Sequence, residues 1–453
     1  MHSNRLIFFL SFIVFFSVMN GTMFNVAIPT IGEQFQLTPS EVSWVISGYI
    51  VIFALGSITY GKLADMYPVK NLITVGLVLF NLGSLLGFIS TTYWMLIIAR
   101  IVQASGAAAI PALGMITATR YFPPQSKGKV LGAIASTVSF GAGIGPILGG
   151  FVAGALNWHY LFLISLFSLP AIYFLRKLLP VEKANTQLTF DLKGAVLLGI
   201  GITGLLLFLT ELHLMYLVFG LLLLGLFVLH IRKEKNPFIQ PHLFLNKQYR
   251  NALLTGFLAV ATVFGMMFLV PIMLKDQNGL SSMFIGLVMF PGAISAAIFG
   301  TVSGRMADRI GSVPIVTGGL GLIGIGYFLM SIFAGSHFSM IAAVLIICYI
   351  GFSTIQSSLA NTVSNTLNKE NLGIGMGLYN LIFFMSGAFG ATTVGKVLDL
   401  SEARVKWNPF AVVNQTGVIY SNIFVVLLIT IAISFTIYYT TFSLKQKTLS
   451  EAK

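Results

Sequence analysis

Arg100 is the one charge in the apolar run MLIIARIVQASGAAAIPALG at 95–114. A charge at the centre of a membrane helix costs about 2.5–3.5 kcal/mol on insertion scales, so its retention asks for a function. The planar guanidinium can hold several oxygens at once, and Gln103, Asn20 or a carboxylate are groups of the matching type. Position 100 lies roughly 9 Å along a helix from Trp94, so the side chain could instead snorkel to the surface and anchor its helix. Other polar groups placed to orient a ligand are Asn20, Asn25, Gln356 with Ser357, and Asn380. Two loops share a second chemistry: GKLAD at 61–65 and GRMADRIG at 304–311. Gly61 permits a tight turn. Asp65 and Asp308 stand near helix ends and basic residues such as Arg309, where a carboxylate can pair or cap and so latch one conformation. In GAGIGPILGG at 141–150, Gly141, Gly145 and Gly149 make one smooth helix face for close packing, and Pro146 weakens the helix ladder there.

The elements that must position these residues are membrane helices. The chain has 453 residues, 56% hydrophobic and 9% charged, too apolar for a soluble domain. Fourteen apolar stretches are long enough to cross about 30 Å of hydrocarbon. They fall at 6–30, 42–61, 71–91, 94–119, 129–153, 159–178, 194–212, 215–231, 251–274, 282–304, 314–334, 338–362, 374–398 and 419–440. The first is read as a retained helix, not a cleaved signal. The net charge of +13 raises the question of nucleic acid, and its placement answers it. An even number of spans puts both termini on one side. Every lysine and arginine falls on that side except Lys275, Lys396, Arg404, Lys406 and the intramembrane Arg100. This bias makes both termini cytoplasmic and assigns the basic charge to topology and anionic lipid, with no nucleic-acid partner. A single cysteine, Cys348, excludes an intrachain disulfide. There is no metal-ligand spacing, HExxH or Walker loop, so no metal, cofactor or ATP chemistry is expected and the chain is not an enzyme.

An internal repeat organises the spans. A shift of 243 aligns Gly61 with Gly304, Ala64 with Ala307, Asp65 with Asp308, Gly76 with Gly319 and Gly83 with Gly326. Both copies sit on the same side and run in the same sense, so the halves are parallel repeats. The expected organisation is a six-helix bundle at 1–178, linkers and an extra hairpin at 179–250 (spans seven and eight), and a second six-helix bundle at 251–453.

GKLAD, ARIVQASGAAA and GAGIGPILGG resemble, in order and in the expected helices, three motifs of the major facilitator superfamily. The last is similar to its antiporter motif. Fourteen spans and the FNVAIP stretch at 24–29 resemble its drug:proton antiporter branch. FDLKG at 190–194 and VPIMLKD at 270–276 look most like the tetracycline and multidrug exporters of that branch. The resemblance implies a major facilitator fold that exports drug-like amphiphiles against protons, with Arg100, Gln103 and Gly106 in the proton-coupling motif. The chain departs from the family where acids are usual: Asn20 and Gly21 stand in span one, and Gly387 in span thirteen. Abundant phenylalanine and methionine suit an adaptable apolar pocket.

Coupling needs a group that changes protonation, and the outer-side carboxylates are the remaining candidates. Asp276 comes first, at the outer end of a core helix that Pro271 could bend, where partial burial would raise its pKa. Glu41, heading span two, comes second. The alternative function is a proton-coupled symporter importing a small organic solute. The expected partners are a small-molecule drug, protons and membrane lipid, and the chain is expected to be a monomer.

Overall fold

The computed structural model describes residues 2–180, 182, 190–234, 236–368, 372–400 and 405–443. Regular structure among them is helical throughout. Fourteen long helices follow one another. They are α1 (Asn4–Phe35), α2 (Pro39–Met66), α3 (Val69–Phe88), α4 (Tyr93–Ala107 and Ala109–Tyr121), α5 (Pro124–Ala155), α6 (Tyr160–Leu178) and α7 (Leu192–Glu211). After them come α8 (Leu214–Lys233), α9 (Lys247–Asn278), α10 (Ser282–Ile310), α11 (Ser312–Phe333), α12 (Phe338–Asn365), α13 (Leu372–Leu400) and α14 (Gln415–Ser443). Thirteen are long and apolar enough among the described residues to cross a membrane, while α5 offers a shorter apolar stretch, Phe140–Ala155. Each span read from the sequence falls on one of these helices.

Several helix ends overrun the apolar stretches because local chemistry caps them. Thr38 and Glu41 form a reciprocal box ahead of α2: the Thr38 N–H donates to Glu41 Oε2 at 2.8 Å, and the Glu41 N–H to Thr38 Oγ1 at 3.3 Å. Asn246 accepts the N–H groups of Gln248 and Tyr249 at the start of α9. Gly279, with φ 63°, ends α9 in the left-handed conformation that closes a helix.

The chain divides into two compact units, Met1–Leu37 with Trp44–Phe238, and Thr38–Ser43 with Ile239–Lys453. In the first, α1 packs on α5, α3 on α4, and α6 on both α1 and α3. In the second, α9 packs on α13, α11 on α12, and α14 on both α9 and α11. These are the same neighbours in the same chain order, as the internal repeat requires. The glycines show the correspondence in detail. A Cβ on Gly76 would stand 3.1 Å from the Gly106 carbonyl oxygen, and one on Gly319 would stand 3.0 Å from that of Gly351. Gly319 follows Gly76 by 243 residues and Gly351 follows Gly106 by 245. The repeat therefore reaches the second helix of each pair with a two-residue offset.

The hairpin α7–α8, expected between the bundles, is counted with the first unit. The Trp44 indole donates to Thr210 Oγ1 at 2.9 Å, and Gly199 faces Leu55 of α2. Only 17% of the most apolar stretch of α8 is buried, against 67% for α4 and α9. A helix facing hydrocarbon on most sides needs no protein cover.

Candidate functional site

Arg100 does not snorkel. It is 1% exposed, and its guanidinium lies between the rings of Phe24 and Tyr49, 4.2 and 4.0 Å from their centroids. Such stacking favours a desolvated cation. Nε donates to the Val45 carbonyl at 3.2 Å; Nη1 donates to Asn20 Oδ1 at 2.9 Å and to Gln103 Oε1 at 2.7 Å. The network continues outward. Asn20 donates to Ser165 Oγ at 2.8 Å, and Gln103 to Ser84 Oγ at 2.8 Å. It ties α1, α2, α3, α4 and α6 together. Among the described hydrogen bonds no carboxylate reaches Arg100, and Nη2 and the Tyr49 hydroxyl are buried without a hydrogen-bond partner. Arginine, asparagine and glutamine were legible from their types. Ser84, Ser165 and the two rings were not, because their convergence depends on how four helices rotate.

The glycine face of α5 meets α1 at matching four-residue steps. Gly141 faces the Phe15 carbonyl, Gly145 faces Met19 and Thr22, and Gly149 faces the Met23 carbonyl. A Cβ on Gly149 would run into that backbone oxygen, so helix approach here depends on the missing side chain. Pro146 lies inside the same helix. Gly61 meets open space on its Cβ side and lies within α2, which runs on to Met66, so the tight turn expected at this residue is not there.

At the other end of α2, Asp65 pairs with Arg120 at 3.2 Å. Arg120 also donates to the Ala64 carbonyl at 2.9 Å and reaches Glu182 at 3.5 Å. Glu182 accepts the N–H of Val69, the first residue of α3. Burial would raise Glu182, but hydrogen bonds from Tyr121 and Val69 and the Arg120 charge outweigh it, and its carboxyl is held below the ordinary range. Asp65 is 65% exposed, which makes the pair weak in stability and easily exchanged. The side chain of Asp308 lies outside the described residues, and Arg309 is exposed.

The remaining candidates take no part in the hydrogen bonds given above for the Arg100 network. Asn25 is buried in the turn Phe24–Ala27 within α1. Gln356 on α12 and Asn380 on α13 are exposed in the second unit. Asp276 corrects the expectation of partial burial: it is exposed at the end of α9. The Tyr420 hydroxyl donates to it at 2.9 Å and Gln277 at 3.0 Å. The end of α9 runs on past Pro271 to Asn278, which carries the carboxylate beyond the packed part of the helix. Glu41 has a definite structural task, the cap on α2.

Residues 10–391 match the family model of the Major Facilitator Superfamily. The chain is 27% identical over 399 residues to the riboflavin transporter RibZ of Clostridioides difficile (strain 630), covering 86% of this chain and 88% of that protein. It is 27% identical over 400 residues to the multidrug transporter protein MdtP of Bacillus subtilis (strain 168), covering 85% and 73%. Its fold is similar to that of a bacterial homolog of the human lysosomal transporter Spinster in an inward-facing, unoccupied conformation. The TM-score is 0.68 at 13% identity, with 97% of each chain covered.

Proposed function

The chain belongs to the Major Facilitator Superfamily, and from that premise we propose that it exports drug-like amphiphiles across the cell membrane in exchange for protons. It is a multi-pass membrane transporter, and on the proposed topology both termini are cytoplasmic. Residues 1–178 and 251–453 form the two moving six-helix bundles, and 179–250 supplies the linkers and hairpin.

The observation that carries the reading is the Arg100 network. The fold does not demand a charge there: the equivalent place in the second unit, 245 residues on, holds the buried aliphatic Leu345. Arg100 organises Asn20 and Gln103 while Nη2 keeps its N–H groups for another acceptor. A substrate oxygen or a group on the proton path can take that position as the bundles rock. Asp65 with Arg120 acts as a latch that opens and recloses, and the α1–α5 glycine contact lets those helices slide without steric catch. Asn20, Asn25, Gln103, Gln356 and Asn380 contribute the polar contacts to substrate. With no acid in spans one and thirteen, Asp276 and Glu41 remain the proton candidates, Asp276 for its ready exchange of hydrogen-bond donors. The transporter works as a monomer.

MdtP is named for multidrug transport, which favours this reading. RibZ is named for riboflavin transport, which favours uptake of a small organic solute as the second. Everted vesicles separate them. An exporter takes up a fluorescent amphiphile when the lumen is acid, and the addition of drug releases lumenal protons. A proton-coupled importer takes up riboflavin or a similar solute in right-side-out vesicles, and everted vesicles then accumulate no dye.

A further inference from the structure

The FDLKG stretch at 190–194 has no part in the site above, yet its residues are the base of a tight polar knot. Asp191 is buried just ahead of α7, and its carboxylate receives three hydrogen bonds. Oδ1 accepts the Gly194 N–H at 2.8 Å and the His230 Nε2–H of α8 at 2.7 Å. Oδ2 accepts the Phe238 N–H at 2.9 Å. The rings of Phe190 and Phe238 meet edge to face, 6.1 Å apart. Gly194 cannot be replaced freely, because a Cβ there would run into the Asp191 carboxylate. Phenylalanine, aspartate and glycine of the stretch thus each have a task.

The GKLAD end of α2 closes over this knot. Lys62 Nζ donates to the Pro237 carbonyl at 2.7 Å and lies 5.4 Å from the Phe238 ring centroid. Phe238 is the last residue of the first unit. Asp191 and Lys62 therefore hold two adjacent residues, 238 and 237, at the point where the chain leaves that unit. His230 and Glu234 lie within 4.8 Å of Asp191, a donor set that could suggest a metal ion. A cation there would have to displace the His230 bond and sit beside the Lys62 ammonium, so the hydrogen-bonded knot is the better account.

We propose that Asp191 is a positioning residue that fastens the chain's exit from the first unit to the GKLAD end of α2. The α7–α8 hairpin is then a clamp on that exit. Its buried aspartate organises the segment, and its exposed faces meet lipid. In its transport arm alone, the inference rests on the export reading above.

The test is tryptic nicking of the purified full-length chain in detergent at Arg232, Lys233 and Lys247, which flank the clamped segment and are exposed. Asp191→Asn keeps the size but replaces one acceptor by a donor, and should speed nicking about tenfold through easier local opening. In vesicles it should lower turnover with the substrate KM unchanged. Lys62→Met should act in the same direction. The double variant should be no worse than the worse single one, because both act on residues 237 and 238. His230→Gln, which keeps an N–H of similar reach, should restore parental behaviour where His230→Phe does not. Nicking within twofold of the parent in both Asp191→Asn and Lys62→Met overturns the proposal, as does an additive double variant. Should Asp191→Asn fail to give a monodisperse protein, Lys62→Met and the His230 pair carry the test. Should the parent transport no probe, the export reading fails while nicking still decides the clamp.

Discussion

The α3–α4 crossing of the first unit and the α11–α12 crossing of the second share a backbone and differ in what fills it. Each is pinned by a glycine pair, Gly76 with Gly106 and Gly319 with Gly351. About two turns further along α3 and α11, Gly83 meets Gln103 while Gly326 meets Cys348. Around the first contact lie Arg100, Gln103 and Ser84. At the corresponding positions of the second lie Leu345, Cys348 and Tyr327, all buried, and Tyr327 is in ring contact with Phe424. They are two copies of one architecture, one charged and one uncharged, and on the proposed function the difference separates what the fold needs from what transport needs. The fold needs the glycines. The second crossing is built with Leu345 where the first has the arginine.

This comparison can be broken where the two crossings differ. Leu345→Arg would place a guanidinium where the position equivalent to Gln103 offers a thiol. It should cost about 2.5–3.5 kcal/mol or more, and the yield of folded protein in the membrane should collapse. Normal yield would mean that the second crossing has hidden polar capacity, and the contrast would fail.

Where the units agree, substitutions should hurt them alike. Gly149 of α5 faces the Met23 carbonyl, and Gly390 of α13 faces that of Ala261. Gly149→Ala and Gly390→Ala should each cost about 1–3 kcal/mol by overpacking, read as a similar loss of thermal stability. A large effect in one and none in the other would show that one contact is incidental.

How far these features were legible follows from their range along the chain. The α5 glycines announce themselves because all three lie on one helix at one spacing, and the repeat because it survives in side-chain types. Arg100, Gln103 and Asn20 stood out as polar residues in apolar runs. Ser84 and Ser165 did not, since a serine in a membrane helix has many uses and only helix rotation selects one. Asp191 was quoted within a motif, but its partners His230 and Phe238 lie 39 and 47 residues away, and no periodicity points to them. The T-P-S-E stretch at 38–41 has the capping-box pattern, unread in the sequence, and the structure gives Glu41 that task. The burial of Asp276, and not its candidacy, differs from the expectation: Pro271 suggests a bend toward the interior, whereas α9 runs on to Asn278 and leaves the carboxylate exposed.

Smaller effects sharpen the contrast between latch and core. Asp65→Asn removes a largely exposed ion pair, so stability should change by less than about 1 kcal/mol. On the proposed function, in which the pair opens and recloses between conformations, export should nevertheless fall several-fold. A stability loss as large as that of Gly149→Ala would make Asp65 a structural residue. The smallest expected effect is that of pH on the clamp. Burial tends to raise Asp191, but hydrogen bonds from His230, Gly194 and Phe238 prevail and hold it below the ordinary carboxylate range. A depressed value contributes stability that is present above the unfolded pKa of about 3.9 and lost as pH falls through the folded value. The stability gap between the parent and Asp191→Asn should therefore stay constant from about pH 8 to 5 and close only below about pH 4. A gap that closes well above pH 5 would show that the Asp191 carboxylate does not carry it.

The central claim is that Arg100 is kept for transport and not for the fold. Drug-induced proton release from everted vesicles carrying the parent, Arg100→Lys and Arg100→Leu tests it most directly. Arg100→Leu makes the first crossing resemble the second. The account predicts folded protein at a yield near that of the parent, no exchange of drug for protons with leucine, and partial exchange with lysine, which keeps the charge without the planar fork. Exchange at the parental rate in Arg100→Leu would contradict it.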